Sequence, residues 1–218
     1  MPKRVDHHAR RAEIARALMR VAADRGLEAV SLRHVAQEAG VSSGMVQHYF
    51  RTKDEMMTFA MEVVSANVQS RVAAAQDPAT PTSPGALVRA LLVQLLPLDE
   101  PRRADGRLAL AFYAYAAVRP AMAEKVRQDT ALLHDFVTVQ VRAAQAAGDA
   151  PADLDPPQAA VELLALVEGL GVQLLGGHYP PQVALDTFHA HLRRLFGPSL
   201  EGGPDPAGAG SAPTAAGT

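Results

Sequence analysis

Gly40 separates two short segments that each carry small or apolar residues on one side, and this arrangement leaves few folds open. In GVSSGMVQHYF, Gly40 to Phe50, the glycine suits a left-handed backbone that a residue with a β-carbon resists. Before it, Val35, Ala36 and Ala39 share the inward side of one helix; after it, Val46 and Phe50 share the inward side of another. The small side chain of Ala36 lets the two helices cross closely, and Val41 fills the corner beneath them. Ser31 offers a hydroxyl to the free amides of the first helix, 32–39, and the second starts at Ser42 or Ser43. The stretch reads as a helix-turn-helix. Ser42, Ser43, Gly44, Met45, Gln47 and His48 then lie on or near the exposed face of a short helix, of a size that fits the major groove of DNA.

The flanks extend the helical pattern. Ile14, Leu18, Val21 and Ala22 recur at helical spacing over 9–25, with Gly26 as the stop. Thr52 and Glu55 have the spacing of a reciprocal capping box and open a long helix carrying Met56, Phe59, Met61, Val63 and Val64, expected to run to about Gln76. Asp77 to Ala86 is turn-rich and reads as a linker or loop. Further helices are expected over 84–96, 102–119, 121–147, 156–176 and 181–196; Ser83-Pro84 and Asp155-Pro156 supply caps, and Gly148, Gly176 and Gly197 mark ends. No strand-like alternation competes, so the fold class is all-α. After Gly197 the chain is rich in Gly, Pro and Ala and is expected to be disordered. The expected organisation is a helix-turn-helix domain with a basic N-terminal arm over 1–53, a helical domain over 54–196 and a tail over 197–218.

Charge is uneven along the chain. The first sixty residues hold 10 Lys and Arg against 7 Asp and Glu, and the remainder holds 11 against 16, which suits a nucleic-acid-facing N-terminal part. Cysteine is absent, excluding disulfides, thiolate metal sites and a cysteine nucleophile. MPKRVDHHARRAE lacks the apolar core of a signal peptide and no long uninterrupted apolar run occurs, so a soluble, cytoplasmic protein without a membrane partner is expected. Neither HExxH, a nucleophile elbow nor a phosphate-binding glycine loop is present, and His189 and His191 have the wrong helical spacing to share a metal. These observations point away from an enzyme, and no cofactor is called for.

SLRHVAQEAGVSSGMVQHYFRTKDEM resembles the DNA-binding signature of the TetR family of bacterial transcriptional repressors over about forty-five residues including the first helix. HYF after the turn and ALVEGLGVQLL later in the chain are similar to the BetI-like branch, whose members include a choline-responsive repressor. The resemblance implies that Ser31 and Arg33 bind phosphate, that Ser43, Met45, Gln47 and His48 face base edges, and that Tyr49 and Lys53 grip the backbone. Gln47 stands where members of the family commonly carry an aromatic residue, so base preference does not carry over. Tyr49 and Phe50 also suit a purely packing role, and His48 a structural one. Lys3, Arg4, Arg10 and Arg11 read either as an arm reaching phosphate or minor groove, or as a solvated tail.

The second half is expected to sense and to pair. Leu108, Phe112, Tyr115 and Arg119 share one stripe, while His134, Phe136 and Gln140 come from the next helix; together they suit a mostly apolar effector cavity, or simply core. Glu168 lies among apolar neighbours and needs a partner, either a cationic effector or an Arg or backbone amide across a subunit interface. Apolar faces over 156–196, including Leu163, Leu166, Leu170, Leu174, Leu185, Phe188 and Leu192, suggest a homodimer through two helices per subunit. Gly169 and Gly171 would let helices approach closely. The expected function is a dimeric repressor of a palindromic operator, released by a small molecule; the alternative keeps DNA binding and dimerisation but has no effector.

Overall fold

A computed structural model describes residues 7–25, 30–75 and 82–197. Among them the helices are α1 (His7–Arg25), α2 (Leu32–Ala39), α3 (Ser43–Tyr49), α4 (Lys53–Ala75), α5 (Pro84–Leu92), α6 (Glu100–Ala117), α7 (Pro120–Ala147), α8 (Pro156–Leu175) and α9 (Pro181–Phe196), with a 3₁₀ turn at Val93–Leu95 after α5. The described residues contain no strand. Lys3, Arg4, Gly26 and the proposed C-terminal tail beyond Gly197 fall outside the described residues, as does the start of the turn-rich stretch after α4.

Helix ends follow local chemistry. Gly40 adopts φ 67°, and the amides of Gly40 and Val41 reach back to the carbonyls of Gln37 and Ala36, which closes α2 as a Schellman motif. Ser83 accepts a hydrogen bond from the Ala86 amide, so α5 starts at Pro84, inside the segment expected as linker. Asp155, by contrast, makes no side-chain cap; only the proline after it serves α8. Thr52 accepts from the Glu55 amide at 3.1 Å, but the returning bond goes one residue further than a reciprocal box, from the Arg51 amide to the Glu55 carboxylate at 2.8 Å. α6 begins earlier than its apolar stripe suggested because Asp99 caps it, accepting from the Arg102 amide at 2.9 Å. Burial opposes ionisation of Asp99, yet hydrogen bonds and the charge of Arg102 prevail and hold its carboxyl below the usual value.

Two hydrophobic clusters result. One joins α1–α4 to the second half of α6, with Ile14, Leu18, Val46, Phe50, Met56 and Phe112 at its centre. The other joins α5, the 3₁₀ turn, α7, α8 and α9 around Leu92, Leu163 and Phe188. α8 is long and apolar enough to cross a membrane by length and composition, but Leu163, Val167, Leu170 and Leu174 pack against α7 and α9 as a core helix does. Burying a leucine of this kind stabilises the fold by roughly 1.5–3 kcal/mol, so both clusters are substantial. Between them lies a polar node: Asp105, 6 % exposed, accepts from Asn67 at 3.1 Å and pairs with Arg71 at 2.9 Å, and Arg71 also reaches the Gln94 carbonyl. This node ties α4, α6 and the 3₁₀ turn together.

Candidate nucleic-acid interface

The α2–turn–α3 corner has an inside fixed by packing and an outside left for contact. Val35, Val46 and Phe50 are fully buried and Ala36 is nearly so, as their spacing required. Arg20 on α1 pairs with Glu38 on α2 at 2.6 Å, which holds the corner against the first helix. Of the residues expected to face DNA, Arg33, Ser42, Ser43, Gly44, Met45, Gln47 and His48 are all exposed, and Met45 is 40 % exposed although its side chain is apolar. Ser42 accepts from the Met45 amide at 3.1 Å and Ser31 from the His34 amide at 3.2 Å. Each serine thereby caps a helix while its own hydroxyl proton stays available to an acceptor such as phosphate.

Tyr49 and Lys53 are half-buried. Tyr49 packs against the N-terminal cluster and meets the His48 ring edge-on at 5.2 Å, so its packing and contact roles coexist. The Lys53 ammonium lies 5.4 Å from the Tyr115 ring centroid, directing it partly toward α6. Arg11, considered for an arm, instead lies over Phe59 at 4.4 Å and Phe50 at 5.0 Å; packing on aromatic faces fixes it to the module. Arg10 pairs with Glu13 at 2.6 Å on the surface of α1.

The residues expected around an effector fall into three places. Phe112 and Tyr115 are buried in the N-terminal cluster, and Arg119 lies 3.7 Å from the Tyr115 ring centroid while donating to the Tyr115 carbonyl at 3.1 Å. The stripe on α6 thus faces the helix-turn-helix module because α1 and α4 compete for its apolar surface. His134 reaches the Pro157 carbonyl at 3.1 Å, Phe136 packs against the C-terminal cluster, and Gln140 is half-buried on the same helix. Glu168 is largely exposed on α8, yet burial of its surroundings pushes its carboxyl up. Burial and then the Glu168 charge raise the phenol of Tyr113 on α6.

The apolar residues that suggested a pairing surface over 156–196 serve the subunit's own core. Leu163, Leu170, Leu174, Leu185, Phe188 and Leu192, whose apolar character suggested an interface, are buried in the chain's own C-terminal cluster, and Leu166 is half-buried against it. Exposed positions of the same helices include Val161, Ala165, Glu168, Gly169 and Val172 on α8 and Val183 and Thr187 on α9, beside polar ones such as Glu162 and Asp186. A β-carbon at Gly169 would meet nothing within 4 Å inside the chain, and one at Gly171 only the Pro97 side chain at 3.9 Å. Packing within the subunit therefore does not require either glycine.

Residues 14–58 match the family of bacterial regulatory proteins described as the tetR family, and 84–197 match the C-terminal domain of BetI-type transcriptional repressors. The HTH-type transcriptional regulator BetI of Burkholderia ambifaria is 30 % identical over 204 residues, covering 90 % of this chain and 98 % of its own length. PksA of Bacillus subtilis, another HTH-type transcriptional regulator, is 40 % identical over 118 residues, which span 53 % of this chain and 56 % of PksA. Among solved structures, a transcriptional regulator from Rhodococcus sp. Rha1 superposes with TM-score 0.72 at 32 % identity, covering 85 % of this chain and 95 % of that one. A putative transcriptional regulator from Saccharomonospora viridis, solved in complex with choline, superposes with TM-score 0.68 at 24 % identity, covering 85 % and 94 %. A tetR-family match over the helix-turn-helix, a BetI-type match over the helical domain that follows and a relative 30 % identical along 90 % of this chain make it a member of the TetR family of bacterial transcriptional regulators.

Proposed function

We propose that this regulator binds a palindromic operator in the cytoplasm as a homodimer and is released by a small-molecule effector. The observation that carries the reading is the exposure of Ser43, Met45, Gln47 and His48 on one short helix whose apolar residue Val46 is wholly buried. Gln47 has the donor and acceptor to hold an adenine by two hydrogen bonds, and Met45 suits a thymine methyl group. Ser31, Ser42, Arg33, Tyr49 and Lys53 position the module on phosphates. Two-fold pairing through the exposed stripe Val161–Ala165–Gly169–Val172 with Val183 would present two such helices, hence an inverted repeat. Selection of genomic fragments by the purified protein over a salt series tests this. A two-fold sequence retained at salt that removes bulk DNA is expected; sequence-blind retention that vanishes with salt contradicts it.

For the effector, the supporting feature is Glu168, a carboxyl opposed by burial whose charge acts on the Tyr113 phenol, a combination suited to a cationic ligand. The choline bound to the Saccharomonospora relative is compatible with that chemistry. The second reading, a regulator without an effector, draws on the packing of Phe112, Tyr115 and Phe136 into the two clusters, since these side chains are then already used. A thermal-shift screen of metabolites separates the two: a ligand that binds only the folded protein raises Tm, and a complete absence of shifts favours the scaffold.

A further inference from the structure

The structure assigns a positioning role to Tyr115: its hydroxyl, donated to Asp54, carries the setting of the α6–α7 corner to the reading helix and so fixes the half-site spacing that the dimer accepts. This rests on the regulator reading above.

Tyr115 is 8 % exposed and stands near the end of α6, 61 positions along the chain from Asp54 in the first turn of α4. Arg119, at the N-terminus of α7, covers the Tyr115 ring and bonds to its carbonyl, so the corner between α6 and α7 is tied to the same side chain. From Asp54 the path to α3 is short and stiff. The Arg51 amide is held by Glu55, the Glu55 amide is held by Thr52, and Phe50 between them and α3 is fully buried. Any tilt of the first turn of α4 therefore turns α3. Further along α4, Asn67 and Arg71 are fixed to Asp105, about 15 Å from Tyr115 along α6. That second attachment keeps the far end of α4 against α6, so the Tyr115–Asp54 bond sets the angle of its first turn.

An open cleft of about 270 Å³ borders Asp54, lined also by Arg11, Glu62 and Met122. Thr58 meets Met122 of α7 at 3.8 Å across the same junction, a weak contact beside the Tyr115 hydrogen bond.

One base pair added at the centre of an operator turns one half-site by roughly 34° and shifts it by about 3.4 Å relative to the other. Operator selected by the wild-type full chain would be compared with versions one base pair longer and shorter, for wild type, Tyr115→Phe and Asp54→Asn. Wild type is expected to lose about tenfold or more in affinity on the altered spacings. Tyr115→Phe, which lacks only the hydroxyl, is expected to lose less than about threefold while its base preference within each half-site is unchanged. Asp54→Asn keeps an acceptor oxygen for Tyr115 and is expected to retain the wild-type profile. A uniform loss of affinity in Tyr115→Phe with the wild-type spacing profile intact overturns the proposal, since a purely stabilising hydroxyl would act that way. Should Tyr115→Phe fail to melt cooperatively, Asp54→Ala carries the same two outcomes. Failure of the wild-type chain to select any two-fold sequence contradicts the regulator reading itself, before any variant is compared.

Discussion

The helix-turn-helix module and the BetI-type domain are both helical, but they use their side chains in opposite ways. In the module, the residues with contact chemistry stand outside and the apolar ones inside: Met45, Gln47 and His48 are exposed while Val46 and Phe50 are buried. In the larger domain, residues that looked equally suited to contact are part of the packing. Phe112 and Tyr115 face α1 and α4, and Leu163, Phe188 and Leu192 fill the second cluster. A seven-residue helix capped by Ser42 and entered from the left-handed turn at Gly40 has one way to face. A helix of twenty residues with apolar side chains on several sides has many, and its neighbours decide among them.

The largest test of that contrast is a pair of truncations. Phe112→Ala is expected to destabilise the protein by about 3–5 kcal/mol in urea or thermal melting, because it empties a core site, whereas Met45→Ala leaves the melt unchanged and weakens operator binding. A Phe112→Ala protein that melts normally and has lost only a ligand would erase the distinction.

Next in size are two of the left-handed helix ends, one taken from each region. Gly40 and Gly148 have φ 67° and 79° with nothing within 4 Å of an added β-carbon, so alanine at either position is opposed by backbone strain alone. Each change is expected to cost about 1–2 kcal/mol in equilibrium unfolding. Equal losses would show that turn chemistry is common to both regions and that only side-chain use differs; a negligible loss at Gly40 would remove the reason given for its place in the turn.

These glycines also show what the sequence makes legible. Gly40, Ser31, Ser42 and Ser83 act on amides or carbonyls a few residues away, so spacing alone reveals them. Asp99 acts over the same short range and had a usable signal, a capping residue two positions before Pro101 and three before Arg102. The Tyr115–Asp54 bond and the Asn67–Arg71–Asp105 node join residues more than thirty positions apart, and no local pattern encodes them. The faces of α8 and α9 were ambiguous for another reason: their apolar residues serve the subunit core, and the exposed Val161, Val172 and Val183 become distinguishable only once that core is assembled.

Smaller effects sharpen the surface side of the comparison. Arg33→Ala is expected to weaken binding to all DNA sequences alike and to lower the salt slope by about 1, with Tm unchanged, as loss of one phosphate contact requires. The smallest effect is at Glu168. Its folded carboxyl titrates above its ordinary value because of burial, so the ionised form is the disfavoured one. Stability should then be greatest below the ordinary carboxylate range and decline as pH rises from there through the raised value. Glu168→Gln is expected to flatten that decline and give a slight gain at neutral pH, small because the group is largely exposed; thermal melts across pH 4–8 check both. A loss of stability in Glu168→Gln would mean that the carboxylate has a partner in the assembled protein.

The most direct measurement is the affinity of wild type and Gln47→Ala for the selected operator and for a scrambled duplex of equal length, each over a salt series. If α3 reads bases while the rest of the module positions it, Gln47→Ala loses about tenfold or more on the operator, keeps its affinity for scrambled DNA and retains the wild-type salt slope. Equal affinity of both proteins for both duplexes would contradict the account, because the exposed face of α3 would then carry no sequence information.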